Sequence, residues 1–165
     1  MAALNAENPK VYAGPVMEMD DNHYIKNAQS WSAGQFLYVD TSGHLVACAS
    51  NADAGTGGIK YYALEDASDP GAEDTTLASV GIITRDHEFI GNELDGTLTS
   101  TAKGQFYGLD VTSNVCTLDA GDTDNDALEV TRIGTEIAPA KYAAADTLQK
   151  VCFKILTVAL EAAPA

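Results

Sequence analysis

The stretch Gly34-Gln35-Phe36-Leu37-Tyr38-Val39-Asp40 recurs later in the chain as Gly104-Gln105-Phe106-Tyr107-Gly108-Leu109-Asp110. In each copy a glycine opens a short run of aromatic and branched side chains. A turn rich in Thr and Ser then leads to a second apolar run, at 45–48 or 115–118. Two such runs around a short polar turn are typical of a β-hairpin. The repeat therefore predicts two related strand-turn-strand hairpins.

The rest of the chain also favours strands. Runs rich in Val, Ile, Tyr and Thr predict strands at 59–64, 79–84, 88–90, 128–133 and 151–158, although the last run also fits helical spacing. The alanine-rich stretch 138–149 is the one place where a short helix is expected. Eight to ten short strands with at most one short helix predict an all-β fold, a small single-domain β-barrel or sandwich that contains both hairpins.

The first nineteen residues are predicted to form an extended arm, and residues 20–165 a single β domain. Pro9 and Pro15 fix φ and lack a backbone donor, which favours an extended path over a helix or a central strand. We expect this arm to pack on a neighbouring subunit instead of its own core. The residues predicted to make that capsid or subunit contact are Leu4, Pro9, Val11, Tyr12, Pro15 and Val16.

Charge argues against nucleic acid as a partner. Twenty-four acidic residues against nine basic ones give a formal net charge of -15. Such a surface repels phosphate backbones and lacks the counterion release that drives their binding. The acids cluster at 65–74 and 119–126, which we interpret as solvated loops. The start of the chain does not resemble a signal peptide, and no apolar run reaches membrane-spanning length, so no membrane partner is expected.

The residues that carry chemistry do not form a recognisable catalytic or metal motif. Asp122-Thr123-Asp124-Asn125-Asp126 opens like a calcium loop, but Ala127 stands where the glycine is needed and Ile133 where the last acidic ligand is needed; a looser calcium site there stays open. Three cysteines, far apart, are expected to be buried and free, and three histidines in separate segments are expected in turns or at the surface. We expect no enzyme activity and no cofactor.

With these residues in view, the chain resembles the head decoration, or cement, proteins of tailed bacteriophages. The resemblance rests on the two glycine-led runs, on Arg132-Ile133-Gly134-Thr135 and on the closing stretch 151–158. It implies a non-catalytic virion protein, made in the host cytoplasm, that binds the outer surface of the capsid and stabilises contacts between major capsid subunits. It also implies a homotrimer at a three-fold or quasi-three-fold axis.

A second interpretation is a carbohydrate- or receptor-binding β module of a phage tail or host-recognition complex. It would use the chain's tyrosines together with calcium at the acidic loop. An aromatic cluster beside bound calcium would favour this interpretation, whereas a flat footprint across several subunits would favour the capsid one.

Overall fold

The computed structural model describes residues 6–94, 98–138 and 148–165. In the structure strands make up 41% and helices 9%, which confirms the all-β class and the small single domain. The strands are β1 (Lys10–Ala13), β2 (Met19–Tyr24), β3 (Phe36–Val39), β4 (Leu45–Ala47), β5 (Tyr61–Ala63), β6 (Leu77–Ile82), β7 (Glu88–Leu94), β8 (Phe106–Thr112), β9 (Val115–Asp119), β10 (Leu128–Ile133) and β11 (Lys150–Ile155).

The helix expectation needs a correction. The described residues contain two α-helices of one turn each, α1 (Gly134–Ile137) and α2 (Thr157–Leu160), where at most one was expected. Most of the alanine-rich stretch that was expected to be helical, residues 139–147, lies outside the described residues. The closing stretch contains both of the structures that its pattern allowed, first a strand and then a helix. β11 ends at Ile155, and α2 begins at Thr157. No helix in the described ranges is long and apolar enough to cross a membrane.

Both predicted hairpins form. β3 pairs with β4 and β8 with β9, each antiparallel. The glycine that opens each copy has a positive φ, +90° at Gly34 and +78° at Gly104. Each glycine donates its N–H to the strand that follows its hairpin, Gly34 to Ala63 O and Gly104 to Val130 O, both at 2.8 Å. The sequence repeat thus marks a repeated backbone geometry as well as a repeated hairpin.

The repeat extends to the whole fold. β2–β6, here called half one, form a sheet in the order β2-β6-β5-β3-β4, and β7–β11, half two, form the order β7-β11-β10-β8-β9. In both halves the order is first, fifth, fourth, second and third strand. The registers also agree: Phe36 pairs with Tyr62 in half one, and Phe106 pairs with Glu129 in half two. The chain is therefore built from two units of the same topology.

The two halves close differently. In half two β7 and β9 pair in parallel through Glu93 with Leu118 and Leu94 with Asp119, which closes a five-stranded barrel. In half one the equivalent contact is a single parallel bridge between Ile25 and Leu45. Half two also carries β1, which pairs with β7 and makes its sheet six-stranded.

An aromatic cluster joins the halves. The Phe36 ring lies 5.2 Å from the Phe89 ring and 6.2 Å from the Phe153 ring, and Tyr62 lies 5.6 Å from Phe89. Phe36 and Tyr62 come from half one, and the other two rings from half two. Half one has a second, smaller core around the buried Trp31, apart from this shared cluster. The larger core therefore fixes the two halves to each other.

Candidate subunit-contact surface

The predicted arm lies on its own domain. β1 pairs antiparallel with β7, with Lys10 opposite Ile90 and Val11 opposite Phe89. This pairing corrects the expectation that the arm packs on a neighbour instead of its own core. The physical reason is the barrel of half two: β9 pairs with only the last residues of β7, so the first half of that edge is left for another strand.

Side-chain and backbone hydrogen bonds fasten the arm before β1. The side chain of Asn8 accepts from Cys116 N at 2.8 Å and donates to Asn114 O at 2.9 Å. Glu7 N donates to Asn92 Oδ1 at 3.0 Å, and Tyr62 Oη donates to Pro9 O at 2.7 Å. The arm is therefore held by β7 and β9 of half two and by β5 of half one, and it crosses the junction between the halves.

The residues predicted to make the contact divide into two groups. Pro9 is buried, and Leu4 lies outside the described residues. Val11 and Tyr12 are each about two-fifths exposed, Pro15 is exposed, and Val16 is 95% exposed. The arm thus turns its backbone toward its own sheet while four of the predicted side chains remain at the surface. We call Val11, Tyr12 and Val16 the arm surface.

A charged network lies beside the arm surface. The Arg132 guanidinium carbon lies 5.6 Å from the centre of the Tyr12 ring, within cation–π range. Arg132 Nε donates to Glu88 Oε1 at 3.0 Å, and Thr131 Oγ1 donates to the same oxygen at 3.0 Å. Since Glu88 is buried and Arg132 half-exposed, the arginine covers a carboxylate on one side and faces Tyr12 on the other. This network fixes the orientation of the aromatic ring.

Basic side chains gather next to this network, although the chain as a whole is strongly acidic. Lys103, Arg132 and Lys154 line one open depression together with Glu88, Thr131 and Glu136. Lys103 Nζ donates to Glu136 Oε1 at 2.6 Å, and this hydrogen bond lowers the pKa of the Glu136 carboxyl. The surface next to the arm is therefore close to neutral, which suits a protein contact.

Carboxylates of both acidic loops accept hydrogen bonds from backbone N–H groups, within the loop at Asp122 and from the segment 28–33 at Asp66 and Asp69. Asp122 Oδ1 accepts from Asp124 N at 3.0 Å and from Asn125 N at 3.1 Å. In the other loop Asp66 accepts from Ala33 N at 2.7 Å, and Asp69 accepts from Ala28 N at 2.9 Å. Within the described residues no group of three or more His, Cys, Asp or Glu side chains is arranged to hold a metal ion.

Burial raises the pKa values of one carboxyl group and of the cysteine thiols. Burial raises the pKa of Glu93 to about 7, and Glu93 Oε1 and Oε2 each lie 3.2 Å from Leu98 N. Burial also raises the pKa of the Cys116 and Cys152 thiols to about 12, so these thiols are not reactive nucleophiles at neutral pH. All three cysteines are buried and free, as predicted.

The histidines match the prediction only in part, since His23 lies in β2 and His87, at the end of the turn after β6, is buried. His44 follows the turn of the first hairpin, where its Nε2 lies 2.8 Å from Asp74 Oδ1, and this hydrogen bond raises its pKa. His87, in contrast, is fully buried. Its Nδ1 accepts from Thr84 N at 2.9 Å, so its Nε2, 3.2 Å from Pro15 O, carries the proton and donates to that carbonyl. The residue therefore ties the end of the arm to the turn between the halves.

The residues that anchor the arm, Asn8, Asn92 and His87, were not predicted from the sequence. They lie far apart in the chain, and each acts through hydrogen bonds that depend on the tertiary fold. A weak signal existed at Asn92, because it lies two residues after the predicted strand 88–90, and an amide that becomes buried has to find a partner.

No protein-family model, curated protein or solved structure matches this chain. The assignment to a functional class therefore depends on the residues and the geometry described above.

Proposed function

We propose that this protein is a capsid decoration protein of a tailed bacteriophage, which binds the outer capsid surface and stabilises contacts between major capsid subunits. The observation that carries the proposal is the arm surface. β1, fixed by its backbone, presents Val11 and Tyr12 to solvent, Val16 is exposed in the segment after it, and Tyr12 lies beside a charge-balanced patch. Exposed apolar side chains on a rigid support are typical of a protein contact.

The charge of the chain supports the outer face of the capsid. A protein with a net charge of -15 is repelled by packaged DNA, whereas the outside of the shell carries no such penalty. A decoration protein acts by bridging neighbouring subunits, and several weak contacts on one particle give high avidity. Following the resemblance to decoration proteins, we propose a homotrimer, with the major capsid protein as the partner.

The test uses shells assembled from the major capsid protein of the same phage genome. We expect the wild-type chain to co-sediment with shells and to raise their temperature of disruption. The triple variant Val11→Ser, Tyr12→Ser, Val16→Ser should fold and bind at least ten-fold more weakly. The matched control is Val158→Ser, which removes a half-exposed apolar side chain on α2, away from the arm, and should bind like wild type.

Two results would contradict the proposal. The first is a wild-type chain that does not bind shells. The second is a triple variant that binds as tightly as the Val158→Ser control. Binding without any gain in heat resistance would leave decoration standing and remove the stabilising role. Sedimentation equilibrium tests the trimer separately, and a monomer both in solution and on the shell would reject it.

A further inference from the structure

We propose that the outer edge of β2, called the β2 edge, is a docking site for an extended strand of another protein that carries Lys or Arg together with apolar side chains. The inference comes from comparing the two halves strand by strand. Half two has its equivalent edge covered by β1, whereas no strand among the described residues covers this edge in half one.

The registers define which residues are equivalent. Met19 pairs with Gly81 and Tyr24 with Leu77 in half one, and these pairs correspond to Glu88 with Lys154 and Asn92 with Lys150 in half two. In half two the arm covers these positions. Ala13 lies opposite Glu88, Glu7 N donates to Asn92 Oδ1, and both Glu88 and Asn92 are buried.

The same positions are bare in half one. Met19 is 66% exposed, and Tyr24 and Leu77 are also exposed. Val16 and Leu64 are two further exposed apolar side chains. Val16 precedes β2 in the chain, and Leu64 lies beside Gly81, which pairs with Met19. Five of the nine large exposed apolar side chains among the described residues therefore lie on or near this one strand pair. The arm covers the edge of β7 in half two, and no described strand covers the equivalent edge of β2 in half one.

No described strand pairs with the outer backbone of β2 at Met19, although Asn22 N donates to Asp20 Oδ1 further along the strand. Ile82 N donates to Glu18 O, and Met19 lies opposite Gly81 in the next position. Because antiparallel pairs alternate, the N–H and C=O of Met19 point away from β6. No described strand pairs with that side of β2 between Met19 and Tyr24; the first contact on it is the bridge at Ile25. An unpaired edge of this kind is a template for strand addition.

The acidic side chains of the β2 edge favour a basic partner strand. Glu18, Asp20 and Asp21 lie on or beside the β2 edge. Pairing of this edge with the same edge of a second copy would bring these carboxylates together, whereas a segment with Lys or Arg would be attracted. A bulge between Asp20 and His23 divides the edge into two short stretches. Each docked strand therefore binds weakly, and strength comes from several copies acting together.

The test uses the full chain labelled with nitrogen-15 and a synthetic peptide with blocked termini and the sequence NPKVYAGP, residues 8–15 of the chain, because this strand covers the equivalent edge in half two. We expect amide shifts to change at residues 18–24 and 77–78 as peptide is added. Met19→Pro, at the first residue of the strand, removes one outward N–H and should weaken peptide binding at least five-fold. Met19→Ala, which keeps that N–H, is the matched control.

The amide spectrum of Met19→Pro must match wild type away from the edge. If it does not, the double variant Met19→Ser, Tyr24→Ser replaces it, since this variant removes apolar contact without changing the backbone. A peptide with glutamate in place of lysine should bind at least three-fold more weakly than NPKVYAGP.

Three results would overturn the inference. The first is that no amide at residues 18–24 shifts with peptide at several millimolar. The second is that the shifts are confined to residues 88–94, which would mean that the peptide only displaces the chain's own arm. The third is that the wild-type chain self-associates through β2 and that Met19→Pro abolishes the association, which would assign the edge to a second copy. No capsid is present in this test, so its outcome is separate from that of the proposed function.

Discussion

The two halves of this protein share one topology, and the same motif residue has opposite surroundings in each. Phe36, in half one, is completely buried between the halves, whereas Phe106, at the same register position in half two, is 44% exposed. Half two covers Phe36 with the rings of Phe89 and Phe153. The difference shows that the repeated sequence determines the backbone of each half. Which side chains become core depends on how the two halves pack against each other.

The largest effect is expected where this comparison is most direct. Phe36→Ala should lower the free energy of unfolding by about 3–5 kcal/mol, because it removes a ring from the centre of the aromatic cluster and leaves a cavity. Phe106→Ala, at the matched position, should change it by less than about 1 kcal/mol. Urea denaturation followed by circular dichroism measures both. Equal losses of unfolding free energy in the two variants would show that the stability contributed by the motif phenylalanine comes from the repeat itself and not from packing between the halves.

The closing seam gives the second comparison. Glu93 in half two takes the position of Ile25 in half one, since Glu93 bridges to Leu118 and Ile25 to Leu45. Glu93 is 1% exposed, and burial raises its pKa to about 7 from the usual 4.5. A carboxyl whose folded pKa is raised contributes its full stability below pH 4.5 and loses it as the pH rises to 7, which amounts to at most about 3 kcal/mol.

Glu93→Gln should therefore flatten the decrease in unfolding free energy between pH 5 and pH 7. The control is Glu65→Gln, which replaces an exposed carboxylate and should leave the wild-type slope unchanged. Urea denaturation at half-unit pH steps measures the slopes. If the unfolding free energy of Glu93→Gln falls with pH as steeply as that of wild type, a group other than Glu93 causes the pH dependence.

Much of this fold was predictable from local patterns. The hairpins followed from the glycine-led repeat, because strand alternation and turn composition are encoded within a few residues. The equivalence of the halves was only partly visible, since the residues that align β2 with β7, such as Met19 and Glu88, have different chemistry. Within the predicted arm, Lys10–Ala13 is a strand, and its partner β7 was not predicted. Its anchors, Asn8 with Cys116 and His87 with Pro15, are set by tertiary contacts between distant residues.

The two motif glycines give the third comparison. Both have positive φ, so an alanine at either position costs about 1–2 kcal/mol in backbone strain. At Gly34 a Cβ would also lie 2.8 Å from Asn8 Cβ and 3.1 Å from Pro9 O, because the arm crosses there, whereas at Gly104 it would meet nothing within 4 Å. Gly34→Ala should therefore be more destabilising than Gly104→Ala by about 1–2 kcal/mol.

Hydrogen exchange distinguishes strain from displacement of the arm. Gly34→Ala should speed exchange at residues 10–13 and 88–90, and Gly104→Ala should not. If both variants protect the arm equally, the arm does not depend on the close approach at Gly34.

The smallest effect is expected at the hairpin turns, where only half one has a titrating contact. His44 lies 2.8 Å from Asp74 and 3.5 Å from Glu73, and the hydrogen bond to Asp74 raises its pKa, whereas the turn of half two has Ser113 and Asn114. A histidine with a raised folded pKa stabilises fully below its ordinary value of 6.5, and the contribution is lost as the pH rises through the folded value. Hydrogen exchange at residues 72–76, corrected for the intrinsic effect of pH, should therefore show a less protected acidic loop at pH 8.5 than at pH 6. In His44→Asn this dependence should disappear, while exchange at the half-two turn stays the same in both proteins. If the protection of the wild-type loop does not change over this pH range, the ion pair does not hold the acidic loop against the first hairpin.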